Sequence, residues 1–175
     1  MNETLAADLS EKEIFPIVDE KGNVIGKATR KECHSGSRLL HPVVHLHVLN
    51  ANADIYSQKP SIHKFIQPGK WDTAVGGHMD YGETVEQALA RETREELGFT
   101  DYEPKHLFSY VYDSEVERET VHTLFTVTGR KTFDFDPVEV DEGRFWTVEE
   151  VRQAIGTGVL TPNFEEEFLR ILGEK

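Results

Sequence analysis

The sequence predicts an α+β fold: a mixed sheet with one long helix against one side and C-terminal helices against the other. Three observations predict it. Short β-prone runs fill residues 14–78 and 105–147. A single longer helical stretch at 84–97 separates them, and two capped helices close the chain. A length of 175 residues fits one domain with a core of ordinary size.

The elements follow in order. Residues 1–13 are polar and read as a flexible or weakly helical N-terminal segment. The single domain is expected over 14–175. Ile14 to Asp19 reads as a strand, Glu20-Lys21-Gly22-Asn23 as a turn, and Val24 to Ala28 as the returning strand of a hairpin. Thr29 to Ser37 reads as irregular. Pro42 to Asn50 is strongly β-prone, with His45 and His47 on one face beside Val43 and Leu49. Ala51 to Asp54 is a turn, and Ile55 to Lys59 pairs back. Pro60 to Lys70 reads as a loop. Trp71 to Gly77 reads as a short strand entering a glycine turn.

The pattern Thr84-Val85-Glu86-Gln87 is a capping box, so the long helix starts at Val85. It runs to Leu97, with Gly98 as the C′ residue. Lys105 to Asp113 and Thr120 to Arg130 are strands joined by the acidic turn Ser114 to Glu119. Glu142 to Thr147 is a further strand. Thr147 and Glu150 form another capping box, and Thr161-Pro162 opens the last helix, whose buried stripe is Phe164, Phe168, Leu169, Ile171 and Leu172.

The long helix carries the chemistry. Glu92, Glu95 and Glu96 share one face, because positions three and four apart are neighbours. Two carboxylates about 5 Å apart at an effective dielectric near 20 repel by roughly 3 kcal/mol. The helix dipole adds to the cost in the last turn. A hard divalent cation reverses both penalties, and carboxylate oxygens are what Mg²⁺, Mn²⁺ and Ca²⁺ prefer.

The spacing Gly77, Glu83, Arg91, Glu92, Glu95, Glu96, Gly98 resembles the Nudix box, G-x5-E-x7-R-E-U-x-E-E-x-G-U. Thr93 departs from it, and Phe99 is bulky but aromatic. Asp19-Glu20, a His ahead of Val43, Gln58-Lys59, Pro68-Gly69-Lys70-Trp71-Asp72 and Gly77-His78 resemble the isopentenyl-diphosphate-isomerase-like branch of that superfamily. Many relatives carry two arginines after the Gln, where this chain has Lys59-Pro60.

The resemblance implies a Nudix-like α/β/α sandwich with the box helix on one face of a mixed sheet. It also implies metal-dependent hydrolysis of a diphosphate linkage, in a nucleoside diphosphate joined to another group or a related organic diphosphate. Glu92, Glu95 and Glu96 would be metal ligands, with the carbonyl of Gly76 facing the same Mg²⁺ or Mn²⁺. Glu92 or another glutamate would be the general base, and Arg91 would orient Glu92 or pair with Glu83. The alternative for Arg91 is an exposed pair with Glu95, worth only about 0.3–0.5 kcal/mol. Of Glu139 and Glu142, Glu142 is the better candidate to join the site; a solvated acidic loop is the equal alternative.

The rival activity from the same branch is isomerisation of an isoprenoid diphosphate, which in the isomerase needs a cysteine just before Gly-His. Gly76 stands there, and Cys33 lies far upstream. A third reading is a non-catalytic binding module. His45 and His47 share a face at spacing two, which is compatible with a metal pair, but no partner set with clear zinc spacing accompanies them; with His41 and His78 the alternative is a packing or substrate-pocket role. Tyr56, Phe65, Trp71, Tyr81 and Tyr110 are core or substrate-stacking residues.

Composition narrows the partners. The formal net charge is −13 and no basic stripe is present, so nucleic-acid polymers are not expected. A small-molecule diphosphate is, and relatives are often dimers, so a homodimer is a compatible state. The one cysteine fits a reducing compartment. With no signal-peptide pattern and no membrane-spanning apolar run, the expected location is cytoplasmic.

Overall fold

The computed structural model describes residues 9–62 and 69–174. Phe65, Pro68 and most of the N-terminal segment lie outside the described residues. The strands are β1 (Ile14–Val18), β2 (Val24–Thr29), β3 (Leu40–Leu49), β4 (Ile55–Pro60), β5 (Asp72–Thr73), β6 (Val75–His78), β7 (Lys105–Asp113), β8 (Arg118–Val127) and β9 (Val140–Trp146). The helices are α1 (Arg30–Cys33), α2 (Val85–Leu97), α3 (Val148–Ala154) and α4 (Pro162–Ile171). β1 and β2 form a separate two-stranded ribbon. The larger, seven-stranded sheet runs β5-β4-β3-β8-β7, with β6 pairing β3 and β9 pairing β4. Among the described residues, no helix is long and apolar enough to cross a membrane.

Local chemistry explains the elements. The β1–β2 turn is tied by the Asp19 carboxylate, which accepts from the Lys21 and Asn23 amides at 2.9 Å, while Gly22 takes a φ of +86°. β3 is buried on both faces over nearly its whole length, so its Val and Leu residues face core on either side and its three histidines are buried with them. The α2 capping box forms as expected: the Gln87 amide donates to Thr84 Oγ1 at 3.2 Å, and the Thr84 amide to Gln87 Oε1 at 3.0 Å. Gly98 ends this helix at a φ of +59°. The caps Thr147 and Thr161 also form.

Three readings need correction. Residues 29–37 are not wholly irregular, because Thr29 and Glu32 make a capping box that starts α1. Gly76 and Gly77 lie inside β6 rather than in a turn, and neither is among the glycines of positive φ. The acidic turn closes at Glu117, where its carbonyl accepts from the Ser114 amide at 2.9 Å, so Glu119 sits within β8. One further residue was missed in α4, where Glu167 is fully buried beside Phe168.

The chain divides into two compact units. One comprises the described residues up to His45, with 76–90 and 106–123; its core includes Phe15, Ile17, Ala28 and Cys33. The other comprises 46–75, 91–105 and the chain from Leu124; its core is Ile55, Trp146, Val151, Leu160, Phe164 and Phe168.

Candidate active site

In the first unit, five side chains from four segments converge. His34 caps α1, His41 lies near the start of β3, His78 ends β6, Glu117 precedes β8 and Glu119 is inside it. One ligand atom from each lies within 4.8 Å of all the others. His34 Nε2 is 3.0 Å from Glu117 Oε2, His41 Nε2 is 3.7 Å from Glu119 Oε1, and His78 Nε2 is 3.5 Å from the same oxygen. All three imidazoles thus present Nε2 inward. For His41 the ring orientation has a cause: Nδ1–H donates to the Leu39 carbonyl at 2.9 Å, which turns Nε2 toward the cluster.

Charge within the cluster is uneven. Burial pushes the His41 imidazole down, but the Cys33 sulfur, the Glu119 carboxylate and the Leu39 carbonyl beside it prevail and hold it up at about 10. Burial also opposes ionisation of Glu119, yet His41 and His78 hold its carboxyl well below the usual carboxylate range. His78 is pushed down by its own burial, which Glu119 only partly offsets. One carboxylate therefore faces one protonated and one neutral ring.

This donor set fits a divalent cation. The Nε2 atoms of His34 and His41 are buried and close to carboxylates, but neither is aligned for a hydrogen bond. Such atoms are costly unless something else engages them. Three imidazoles with two carboxylates suit a first-row transition ion better than Mg²⁺, which takes oxygen ligands. Sequence spacing missed this group because its members are scattered along the chain from His34 to Glu119. The available signals were the His ahead of β3 and Gly77-His78. His45 and His47 do not join it; His47 instead lies 3.4 Å from Glu167 in the second unit, both fully buried.

The box residues Arg91, Glu92, Glu95 and Glu96 lie on α2 in the second unit. Arg91 Nη1 donates to Glu92 Oε1 at 2.7 Å and approaches Glu95 Oε2 at 3.6 Å. Exposure is graded along the set. Glu96 is buried, the Glu92 side chain is 15% exposed, and that of Glu95 is 55% exposed. Gly76 lies in β6, in the first unit. Glu83 has a local role, accepting from the Asp80 amide at 2.8 Å. Glu142 is an exposed residue of β9, 3.9 Å from Lys59 Nζ, and Glu139 uses its carbonyl to accept from the Ser61 amide. Of the candidate stacking residues, Tyr56 is core against Phe133 and Phe145, and Trp71 packs on Trp146. Tyr81 is exposed, with Lys27 over its ring.

Comparison with known proteins gives the family and the fold. The family model described as "NUDIX domain" matches residues 39–164. An isopentenyl-diphosphate Delta-isomerase 1 of Photorhabdus laumondii is 28% identical over 164 residues, covering 89% of this chain and 93% of its own. An uncharacterized Nudix hydrolase of Yersinia pestis is 30% identical over 135 residues, covering 77% and 73%. A crystal structure of a Deinococcus radiodurans protein superposes with a TM-score of 0.79 at 24% identity, covering 90% of this chain and 98% of the other. That last similarity concerns the fold.

Proposed function

This chain belongs to the NUDIX domain family, with an α+β fold and a sequence similar to Nudix-type enzymes, and we propose that it hydrolyses a diphosphate linkage in a small molecule. The observation that carries this reading is the box helix. Three carboxylates share one helical face, Arg91 donates to the first, and the last is buried. An ordinary solvated helix gains nothing from that crowding.

Glu92, Glu95 and Glu96 would hold Mg²⁺ or Mn²⁺, which when bound neutralises diphosphate oxygens and lowers the pKa of the attacking water. Arg91 fixes one oxygen of Glu92 and so orients its other oxygen. Glu95, the most exposed of the three, is the glutamate best placed to exchange a proton with solvent water. The histidine-rich group would hold a second cation of different character.

A second reading, isomerisation of an isoprenoid diphosphate, is favoured by the relatives named as isomerases. Gly76 speaks against it, because it offers no thiol where the isomerase has a cysteine. The test is phosphate and nucleotide release from a panel of diphosphates with Mg²⁺ or Mn²⁺, beside Glu95→Gln and Glu96→Gln. Metal-dependent release lost in both variants supports hydrolysis at the box. Turnover of isopentenyl diphosphate with its diphosphate intact would replace hydrolysis with the second reading.

A further inference from the structure

Three rings of the histidine-rich group share one neighbour. Phe15, fully buried on β1, stacks on His78 with centroids 4.5 Å apart and planes within 2°. It lies 5.7 Å from His41 at 16°, and 6.3 Å from His34 at 58°. His41 and His78 are consequently near-parallel to one another at 16°, while His34 is inclined by 57° and 55° to them.

Ring orientation decides metal binding, because an imidazole donates along a lone pair in its own plane. The torsion that turns a histidine ring is soft and broad. Something outside the ligands must hold it. Phe15 is suited to this. Its flat apolar face cannot compete for the cation, and its backbone is held on both sides. Phe15 pairs with Ala28 in the β1–β2 ribbon, and the adjacent Ile14 carbonyl accepts from the Tyr81 amide at 2.9 Å, three residues beyond His78.

We propose that Phe15 is a positioning residue of the His34, His41, His78, Glu117 and Glu119 centre, setting the planes of the His41 and His78 rings so that both Nε2 atoms meet one cation. This rests on the reading of that group as a cation site.

The experiment is Co²⁺ titration of the full chain, followed by its visible absorption, in the parent, Phe15→Leu, Phe15→Tyr and Ile17→Ala. Ile17 belongs to the same small core and is not one of the five ligating residues, so it serves as the control for destabilisation of that core. Loss of an outer-shell partner typically weakens metal binding by about 10–100-fold. Phe15→Leu should show a weakening of that order and a shifted visible band. Phe15→Tyr, which keeps the ring, should restore the parent band. Ile17→Ala should melt earlier in EDTA yet keep parent affinity and spectrum. Parent-like binding in Phe15→Leu, or an equal loss in Ile17→Ala, would overturn the proposal. A parent chain that takes up no Co²⁺ overturns the cation site beneath it.

Discussion

The two acidic sites of this chain manage negative charge in different ways. In the first unit, Glu117 and Glu119 are each within 3.7 Å of an imidazole, so the group carries its own counter-charge. In the second unit, Arg91 donates to Glu92 at 2.7 Å and approaches Glu95 at 3.6 Å within one helix that also carries Glu96. The first arrangement can stand without a cation, at the cost of protonating His41. The second sets three carboxylates on a helix that contains no histidine. On the proposed function, the first would hold its cation tightly and the second an exchangeable one arriving with substrate.

The largest effect that could break this contrast is on turnover. Glu96→Gln should lower hydrolysis by more than about 100-fold, since a catalytic metal is worth several kcal/mol and each 1.4 kcal/mol is about tenfold. Melting temperature should change little, because an amide fills the same space. A steady-state assay with Mg²⁺ checks this, and unchanged turnover would remove the helix from the chemistry.

Next comes Glu119→Gln. It removes a ligand from the histidine-rich group, so the loss of tight Mn²⁺ or Co²⁺ binding should exceed the roughly 100-fold that an outer-shell change can cause. Calorimetric titration would show one fewer tight site. Hydrolysis in excess Mg²⁺ should stay within about tenfold of the parent; a collapse equal to that of Glu96→Gln would mean that the two sites do not divide the work.

A third change should spare both sites. A Cβ at Gly143 would overlap the hydroxyl and ring of buried Tyr56. Gly143→Ala should therefore cost about 1–3 kcal/mol of stability by overpacking, with the Co²⁺ spectrum unchanged. Chemical denaturation beside metal titration separates the two outcomes.

The most gradual effect is a slope with pH. His41 is held up at about 10 in the folded chain, from an ordinary value of 6.5. Its contribution to stability is complete below about 6.5 and fades as pH rises through 10. Glu119, held low, contributes fully above the ordinary carboxylate range and is lost only in acid. His78, pushed down, titrates below this window. Metal-free protein should therefore lose stability from pH 7 to 10, by at most about 1.4 kcal/mol per pH unit for one proton. Metal-loaded protein should gain relative to it, because binding expels the His41 proton. Melting curves in EDTA and in Mn²⁺ that run parallel across this range would contradict the assignment.

These two regions also differ in how far the sequence discloses them. The box helix was legible because its start, face and end are contiguous: Thr84 and Gln87 cap it, Gly98 stops it, and spacing alone puts three glutamates together. The histidine-rich group was not, because register between strands, rather than spacing along the chain, brings His41, His78 and Glu119 together. Reading Glu119 as part of a turn and Gly76-Gly77 as a turn hid the strands that carry it and His78. The Thr29–Glu32 capping box was present in the sequence and passed over, and with it the short helix that delivers His34. Glu167 shows a further limit: a carboxylate in a helix reads as surface unless its partner, here His47 some 120 positions away, is known.

The central claim is that the helix carboxylates support water attack on a diphosphate. The most direct test is mass spectrometry of products formed in ¹⁸O-labelled D₂O with Mg²⁺, from nucleotide-linked and isoprenoid diphosphates, using the parent and Glu96→Gln. The account predicts ¹⁸O in a phosphate product, no deuterium at carbon, and loss of labelling in Glu96→Gln. Deuterium on the isoprenoid carbon with the diphosphate intact, undiminished in Glu96→Gln, would contradict it.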